Sequence, residues 1–268
     1  MSGRARFTFT ALAFGYAFLY LPIVLVIVYS FNESRLVTVW AGFSLRWWGA
    51  LMENQAMLSA AWLSLRIALA SATIAALLGL AAGYALGRIP RFPGRALFGS
   101  MVIAPMVMPE VVMGISMLLL FVGADRLLGG PERGFLTITI AHTTFALAFV
   151  AIVVQSRLAD FDRSLEEAAM DLGATPWVTF RTVTLPLIAP SVISGWLLAF
   201  TLSLDDLILT QFVAGAQSQT LPMRVYSSVR LGVDPQINVL GTIVVAVAAV
   251  ALILSGWLTR RKAWEERP

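Results

Sequence analysis

The sequence predicts an all-α membrane protein with six transmembrane helices. Hydrophobic residues make up 59% of the 268 residues and charged residues only 13%, and a soluble domain of this length cannot bury so much apolar surface in one core. In lipid the backbone must be hydrogen-bonded internally, which favours helices. The apolar runs are long and unbroken, whereas strands of a membrane barrel would alternate.

Six stretches are long enough to span a bilayer, for which about 20 apolar residues suffice. The first run is too long for the hydrophobic region of a cleaved signal peptide, so we interpret it as a retained first span. No internal repeat or separate soluble domain is visible, and residues 1–268 are predicted to form a single transmembrane domain. The predicted spans are about 9–30, 62–86, 98–122, 135–155, 188–209 and 237–258.

The distribution of basic residues predicts the orientation of the chain. With a cytoplasmic N-terminus, 12 of the 19 Lys and Arg residues fall on the cytoplasmic side, six on the other side and one at a span end. Basic residues concentrate on the cytoplasmic side of membrane proteins, so both termini are predicted to be cytoplasmic. This basic balance is typical of residues flanking spans and does not indicate nucleic-acid binding.

The longest predicted cytoplasmic loop, residues 156–187, contains signals for two short helices. Ser164 followed by Glu167 predicts a capping box that opens the first helix. Gly173 is suited to end it, because glycine accepts a positive φ. A second helix is predicted over residues 176–186, since proline is favoured in a first helical turn. The two helices would present a partly apolar surface for docking another protein.

This loop resembles the EAA signature of ABC-importer permeases, EAA-x3-G-x9-I-x-L-P. The matching residues are Glu167-Ala168-Ala169, Gly173 and Val183-Thr184-Leu185-Pro186, and only Val183 departs from the pattern. The resemblance implies the type I importer (MetI-like) permease fold, in which this segment, the EAA loop, couples the permease to an ATPase; an ordinary amphipathic linker is the alternative. The residues it assigns to ATPase coupling are Glu166, Glu167, Ala168, Ala169, Asp171, Gly173, Leu185 and Pro186.

The same resemblance implies the partners and the location of the protein. The partners are two copies of an ATP-binding subunit, a second homologous permease subunit and a periplasmic substrate-binding protein. The chain has no G-x-x-x-x-G-K-[ST] phosphate loop, so we expect ATP and Mg²⁺ on the partner ATPase, no cofactor here and no enzymatic activity. The implied location is the bacterial inner membrane, with lipid around a multi-pass chain.

Acidic residues within predicted spans indicate the charge of the cargo. Glu110, Asp205 and Asp206 lie there, and no basic residue lies deep in any span. Uncompensated carboxylates suit a cation and repel an anion. Adjacent helical residues point about 100° apart, so in a regular helix Asp205 and Asp206 cannot both face one pathway, and one could cap an unwound turn or meet the partner subunit. Pro105 and Pro109 predict a kink before Glu110. Purely structural roles are the alternative for all three.

A second resemblance concerns the cargo itself. Residues 201–206 (TLSLDD), 220–223 (TLPM), 226–238 (YSSVRLGVDPQIN) and 104–110 (APMVMPE), with the Trp47-Trp48 pair, resemble the putrescine/spermidine permeases of the PotI/PotC type, and the PotI type most. Either tryptophan could hold an ammonium by cation–π contact, although tryptophans also form interfacial belts. The residues that the resemblance assigns to the substrate pathway are Glu110, Ser203, Asp205, Asp206, Trp47 and Trp48.

Two further features have simpler interpretations. His142 is the only histidine; with no acidic or cysteine neighbour in the sequence, it is predicted to be a packed core residue. Gly79, Gly83 and Gly87 repeat every four residues, which predicts a close helix-packing face within or between subunits.

Three other functions stay open from the sequence. The cargo of the importer could be Fe³⁺, an amino acid or an anion instead of a polyamine. An ion-coupled secondary transporter is disfavoured, because such folds usually show internal repeats. A membrane anchor or sensor that recruits an ATPase without transporting is the third.

Overall fold

The computed structural model describes residues 3–36, 39–130, 132–232 and 234–265, and within them the side chains of residues 7–250 except residue 128. The described residues form helices joined by loops and turns, with no strand among them. The helices are α1 (Gly3–Tyr29), α2 (Arg46–Glu53), α3 (Gln55–Arg88), α4 (Arg95–Val107), α5 (Glu110–Leu128), α6 (Phe135–Asp160), α7 (Ser164–Asp171), α8 (Pro176–Thr179), α9 (Leu185–Asp205), α10 (Ile208–Val213), α11 (Leu221–Leu231) and α12 (Gln236–Glu265).

The helices confirm a multi-pass membrane protein. Four are long and apolar enough to cross a membrane, and α4 with α5 would be a fifth if the pair counts as one span. The sixth predicted span, 237–258, lies within α12, but its side chains from residue 251 onward lie outside the described residues. The count of six therefore stays a prediction. The four are Phe7–Tyr29, Gln55–Arg88, Phe135–Asp160 and Pro176–Asp205.

The third predicted span is broken where a kink was predicted. Its two helices, α4 and α5, meet at an angle of 112°. Pro109 separates them, and Met108 before it is extended, with φ −74° and ψ 139°. Proline disfavours a helical conformation at the preceding residue and donates no hydrogen bond. The position of the bend was thus predictable, but its size exceeds that of a kink.

Contacts along the chain divide it into two compact units. The first unit comprises residues up to 58 and from 225 onward, and the second comprises residues 59–224. In the first unit, α1 and α2 both pack against α12. The single transmembrane domain stays a prediction.

Small residues bring the long helices of the second unit close together. A Cβ at Gly79 would lie 2.6 Å from Cβ of Val150, and one at Gly83 would lie 2.6 Å from the carbonyl oxygen of Ala151. Both values are shorter than any real contact of a Cβ atom, so α3 can lie against α6 only with glycine there. The predicted close-packing face is confirmed, and it lies within this chain.

Replacing Gly83 by alanine should destabilise the second unit, because the added methyl meets backbone and cannot be avoided by rotating a side chain. Gly123→Ala is the matched control: Gly123 is also in a helix, and a Cβ there would meet nothing within 4 Å. We expect a clear drop in thermal midpoint for Gly83→Ala and none for Gly123→Ala, measured by tryptophan fluorescence of the purified protein. Equal midpoints would contradict the assigned packing.

Candidate functional site

The first helix of the EAA loop, α7, begins one residue earlier than the capping box predicted and is capped differently. The prediction of a capping box is wrong. Arg163 is the N-cap residue; it adopts a helical conformation, and its side chain makes no capping hydrogen bond. Ser164 is therefore already inside the first turn. Instead, its backbone N–H donates to Asp162 Oδ1 at 2.9 Å. This hydrogen bond, with a second from the Ser164 side chain, lowers the pKa of the Asp162 carboxyl.

The end of α7 and the start of α8 are as predicted. Gly173 has a φ of +88°, a conformation that glycine adopts without strain. Thr175 precedes α8, and its Oγ1 accepts a hydrogen bond from the N–H of Val178 at 3.4 Å. Pro176 occupies the first turn, where no N–H is needed.

The second helix does not end at Pro186, as the sequence predicted. α8 runs through one π-helical turn, Phe180–Thr184, directly into α9, so that Pro176–Asp205 forms a single helix of 30 residues. The π turn changes the hydrogen-bond spacing just before the proline. Pro186 then falls in the first turn of α9, so its missing N–H does not break the helix.

A buried ion pair holds α7 against the ends of the long helices. Glu166 Oε2 lies 2.9 Å from Nε of Arg88 at the end of α3, and the two side chains are only 12% and 8% exposed. Thr184 Oγ1 donates to Glu166 Oε1 at 2.6 Å. Arg88 Nη1 also donates to the carbonyl of Leu158 in α6 at 2.9 Å. We name Arg88, Glu166 and Thr184 the α7 clamp.

The rest of the loop turns outward. Glu167, Ala168, Asp171, Gly173 and Pro186 are exposed on this chain, whereas Ala169 and Leu185 are half-buried. Large apolar side chains accompany them: Leu172 is 90% exposed and Trp177 69%. An exposed apolar surface between polar residues is typical of a docking site for another protein. The clamp separates Glu166 from this surface, although the two glutamates are adjacent in the sequence.

The helix that leaves the EAA loop breaks between Asp205 and α10. Asp206 is extended, with ψ 124°. Its Oδ1 accepts hydrogen bonds from the N–H and the hydroxyl of Thr210, both at 2.8 Å. Asp206 thus caps an unwound turn and is largely buried, whereas Asp205 is exposed on the second unit. The two carboxylates therefore have different surroundings, because the chain leaves the helical conformation between them.

His142 is buried, as predicted, but its ring contacts polar groups of other helices, including the carboxylate of Asp206. Its Nδ1 lies 2.7 Å from Ser203 Oγ, and its Nε2 lies 2.8 Å from Thr210 Oγ1 and 3.4 Å from Asp206 Oδ1. Ser71 Oγ donates to Ser203 Oγ at 2.9 Å. The histidine is buried, but in a hydrogen-bonded network of side chains from several helices. We name Ser71, His142, Ser203, Asp206 and Thr210 the His142 network.

Glu110, Trp47 and Trp48 are not members of the His142 network. Glu110 is the first residue of α5, directly after the Pro109 break, and is exposed. Trp47 and Trp48 belong to the first unit. The Arg46 guanidinium lies 5.1 Å from the centre of the Trp47 ring. Trp48 stacks on Phe31 and donates to the carbonyl of Ser30 at 3.1 Å. Both tryptophans thus have partners within their own unit, and their contact with a substrate stays a prediction.

Sequence reasoning missed the residues that hold the candidate site together. Arg88 was counted as a basic residue flanking a span, Thr184 as part of the EAA signature and His142 as core. One signal was available for His142, because an ionisable residue inside a span is a functional candidate by default. No signal in the sequence pairs Arg88 with Glu166, since they are 78 residues apart.

Comparison with known proteins adds the following. Residues 75–263 match the family model described as binding-protein-dependent transport system inner membrane component. The chain is 54% identical over 88% of its length to the putrescine transport system permease protein PotI of Escherichia coli K12, covering 84% of that protein. It is 43% identical, again over 88% of its length, to the spermidine/putrescine transport system permease protein PotC of the same strain, covering 87% of it.

Solved structures show the same fold. A bacterial ABC transporter involved in import of the acidic polysaccharide alginate matches with a TM-score of 0.71, covering 97% of both chains at 18% identity. The methionine ABC transporter MetNI, in inward-facing conformations, matches with a TM-score of 0.60, covering 77% of this chain and 95% of that one at 18% identity.

Proposed function

This chain belongs to the family of binding-protein-dependent transport system inner membrane components, and on that premise we propose that it is a permease subunit of an ATP-driven polyamine importer. The observation that supports the cargo is the 54% identity to a putrescine permease, against 43% to a spermidine/putrescine permease. Putrescine is therefore the first candidate and spermidine the second. The fold alone does not decide the cargo, because one similar structure is a transporter involved in the import of an acidic polysaccharide and another is a methionine transporter.

We propose that the exposed surface of the EAA loop binds the ATP-binding subunit. Glu167, Ala168, Asp171 and Gly173 lie on that surface, with the exposed Trp177 beside them. Glu166 and the half-buried Ala169 and Leu185 support the surface from within. ATP and Mg²⁺ would be held by the partner, and this chain would contribute the contact that moves when the partner closes.

One continuous helix connects that contact with the proposed pathway. Pro176–Asp205 begins in the EAA loop and ends at the Asp206 break, a length of about 45 Å at 1.5 Å per residue. Because both ends belong to one helix, a displacement of the loop is transmitted to the break. ATP-driven closure would in this way change access to the pathway.

In the pathway, the exposed carboxylates of Asp205 and Glu110 would meet the cationic substrate. Ser203 and Asp206 are engaged in the His142 network, and we assign them the support of this surface. Weak, successive contacts suit transport, because tight binding would prevent release.

The proposed assembly contains two ATP-binding subunits, a second permease subunit and a periplasmic binding protein. The distribution of basic residues supports cytoplasmic termini and a cytoplasmic EAA loop in a bacterial inner membrane. The ATPase would then dock on the EAA loop, and the binding protein on the opposite side.

The test is the ATPase activity of the complete complex in lipid, with its binding protein, titrated with putrescine, spermidine and unrelated solutes. We expect several-fold stimulation by a polyamine, lost in Gly173→Val because a branched side chain cannot adopt the positive φ. Stimulation only by another solute would contradict the polyamine cargo and leave the permease assignment standing. Uptake that vanadate does not inhibit would indicate an ion-coupled carrier instead of an ATP-driven importer.

A further inference from the structure

We propose that His142 is a positioning residue of the substrate pathway, which holds the broken end of α9 so that Asp205 is presented to the substrate. The inference rests on the proposed function, because that function supplies the substrate. Its geometric part, the position of Asp205, can be tested without any substrate. No pattern in the sequence assigns His142 such a role.

The break in α9 creates the need for such a residue. Regular backbone hydrogen bonding is interrupted around Asp206 and Leu207, and inside a membrane every polar group must find a partner in the protein. Side chains must therefore fix the direction in which the chain leaves α9. Asp206 fixes the start of α10 after the break, because its carboxylate accepts hydrogen bonds from Thr210 in the first turn of that helix.

His142 connects the two sides of the break. Through Nδ1 it contacts Ser203, which lies in α9 before the break, and through Nε2 it contacts Thr210 in α10 after it. Ser71 extends the network to α3. The hydroxyl of Thr210 donates to Asp206, so it accepts from Nε2 of His142, whereas Nδ1 lies within hydrogen-bond distance of the Ser203 hydroxyl, which can donate or accept.

The His142 network determines the direction of the Asp205 side chain. Asp205 is the last residue of α9, it precedes the break directly, and its side chain is exposed. Its direction depends on where the final turn of α9 is held. A loosened network would therefore turn the Asp205 carboxylate away without removing any group from the pathway.

Two amide substitutions separate the two contacts of the ring. The side-chain nitrogen of His142→Asn can take the place of Nδ1 and keep the Ser203 contact, whereas that of His142→Gln can take the place of Nε2 and keep the contact with Thr210 and Asp206. His142→Leu removes both. The control is Thr143→Val, a buried neighbour in α6 whose hydroxyl has no hydrogen-bond partner among the described residues.

The first readout is substrate-stimulated ATPase activity, normalised to folded complex. We expect His142→Gln and His142→Leu to raise the half-saturating polyamine concentration about tenfold, because both lose the hydrogen bond to Ser203 that holds the end of α9. His142→Asn, which keeps the contact with Ser203, should stay within about twofold of the unsubstituted complex, as should Thr143→Val. A merely structural histidine would lower the yield of all three variants and leave the half-saturating concentration unchanged, which would overturn the proposal.

The second readout does not depend on the cargo. The chain has no cysteine, so Asp205→Cys introduces its only thiol, and labelling of this chain by a water-soluble maleimide reports the exposure of position 205. In this background we expect His142→Gln to change the labelling rate severalfold and His142→Asn to leave it unchanged. Equal rates in both variants would overturn the proposal even if polyamine stimulates the complex. If polyamine does not stimulate the complex, the labelling still tests the role of His142, and only the polyamine assignment is contradicted.

Discussion

Glutamine in place of Glu166 should destabilise the folded permease, whereas glutamine in place of its neighbour Glu167 should leave the stability unchanged and weaken coupling to the ATPase. The difference arises because Glu166 is paired with Arg88 inside the protein, whereas Glu167 is exposed on the EAA loop. Removing one partner of a buried ion pair leaves an uncompensated charge, at a cost of about 3–5 kcal/mol. Surface substitutions usually change stability by no more than about 0.5 kcal/mol.

A double substitution distinguishes the ion pair from general damage. Replacing both charges by apolar groups removes the uncompensated charge, so Arg88→Met with Glu166→Met should be more stable than either single variant. The measurement is thermal unfolding of the purified protein in lipid for the two singles and the double. Additive losses would contradict the α7 clamp as an energetic unit.

The same variants separate positioning from docking in the assembled complex. Glu167→Gln should assemble in normal yield and respond poorly to substrate, because its exposed carboxylate belongs to the proposed contact with the ATPase. Glu166→Gln should fail at the earlier step, with less assembled complex after purification. If the two variants gave a similar yield of complex and a similar response to substrate, the structural difference between the glutamates would not matter for function.

Local signals in the sequence predicted much of this fold. The apolar runs predicted helices, Gly173 and Pro176 marked the end of one helix and the start of the next, and Pro109 marked the bend in the third predicted span. Each of these signals acts within a few residues through steric or hydrogen-bonding rules, so no tertiary information was needed. The EAA signature added the fold family, which the similar structures and the family match confirm.

Long-range pairs could not be predicted in this way. The hydrophobic pattern does not show that Arg88 meets Glu166 or that His142 meets Ser203, because a periodic apolar face fixes which side of a helix is buried and not which polar group it meets. The capping box failed for a related reason. Ser164 and Glu167 have the right spacing, but Arg163 continues the helix by one residue and Asp162 provides the acceptor.

Asparagine at position 205 should weaken the response to substrate far more than asparagine at position 206. Asp205 is exposed at the end of α9. In Asp205→Asn, a cation that contacts this position loses a charge-assisted hydrogen bond, worth about 1.5–3 kcal/mol. That corresponds to a rise of about 10- to 150-fold in the half-saturating concentration. Asp206→Asn keeps an oxygen that can accept both hydrogen bonds from Thr210, so the cap on α10 should survive.

Asp206→Ala completes the comparison, because it removes that oxygen and leaves the Thr210 N–H without its acceptor. We expect this variant to lose folded complex, and Asp205→Asn to keep the yield while losing apparent affinity. Measuring the yield and the half-saturating putrescine concentration of the three variants together tests the separation of roles. If Asp206→Asn had the larger effect on affinity and Asp205→Asn none, Asp206 would face the pathway, and the network around His142 would have to open for the substrate to reach it.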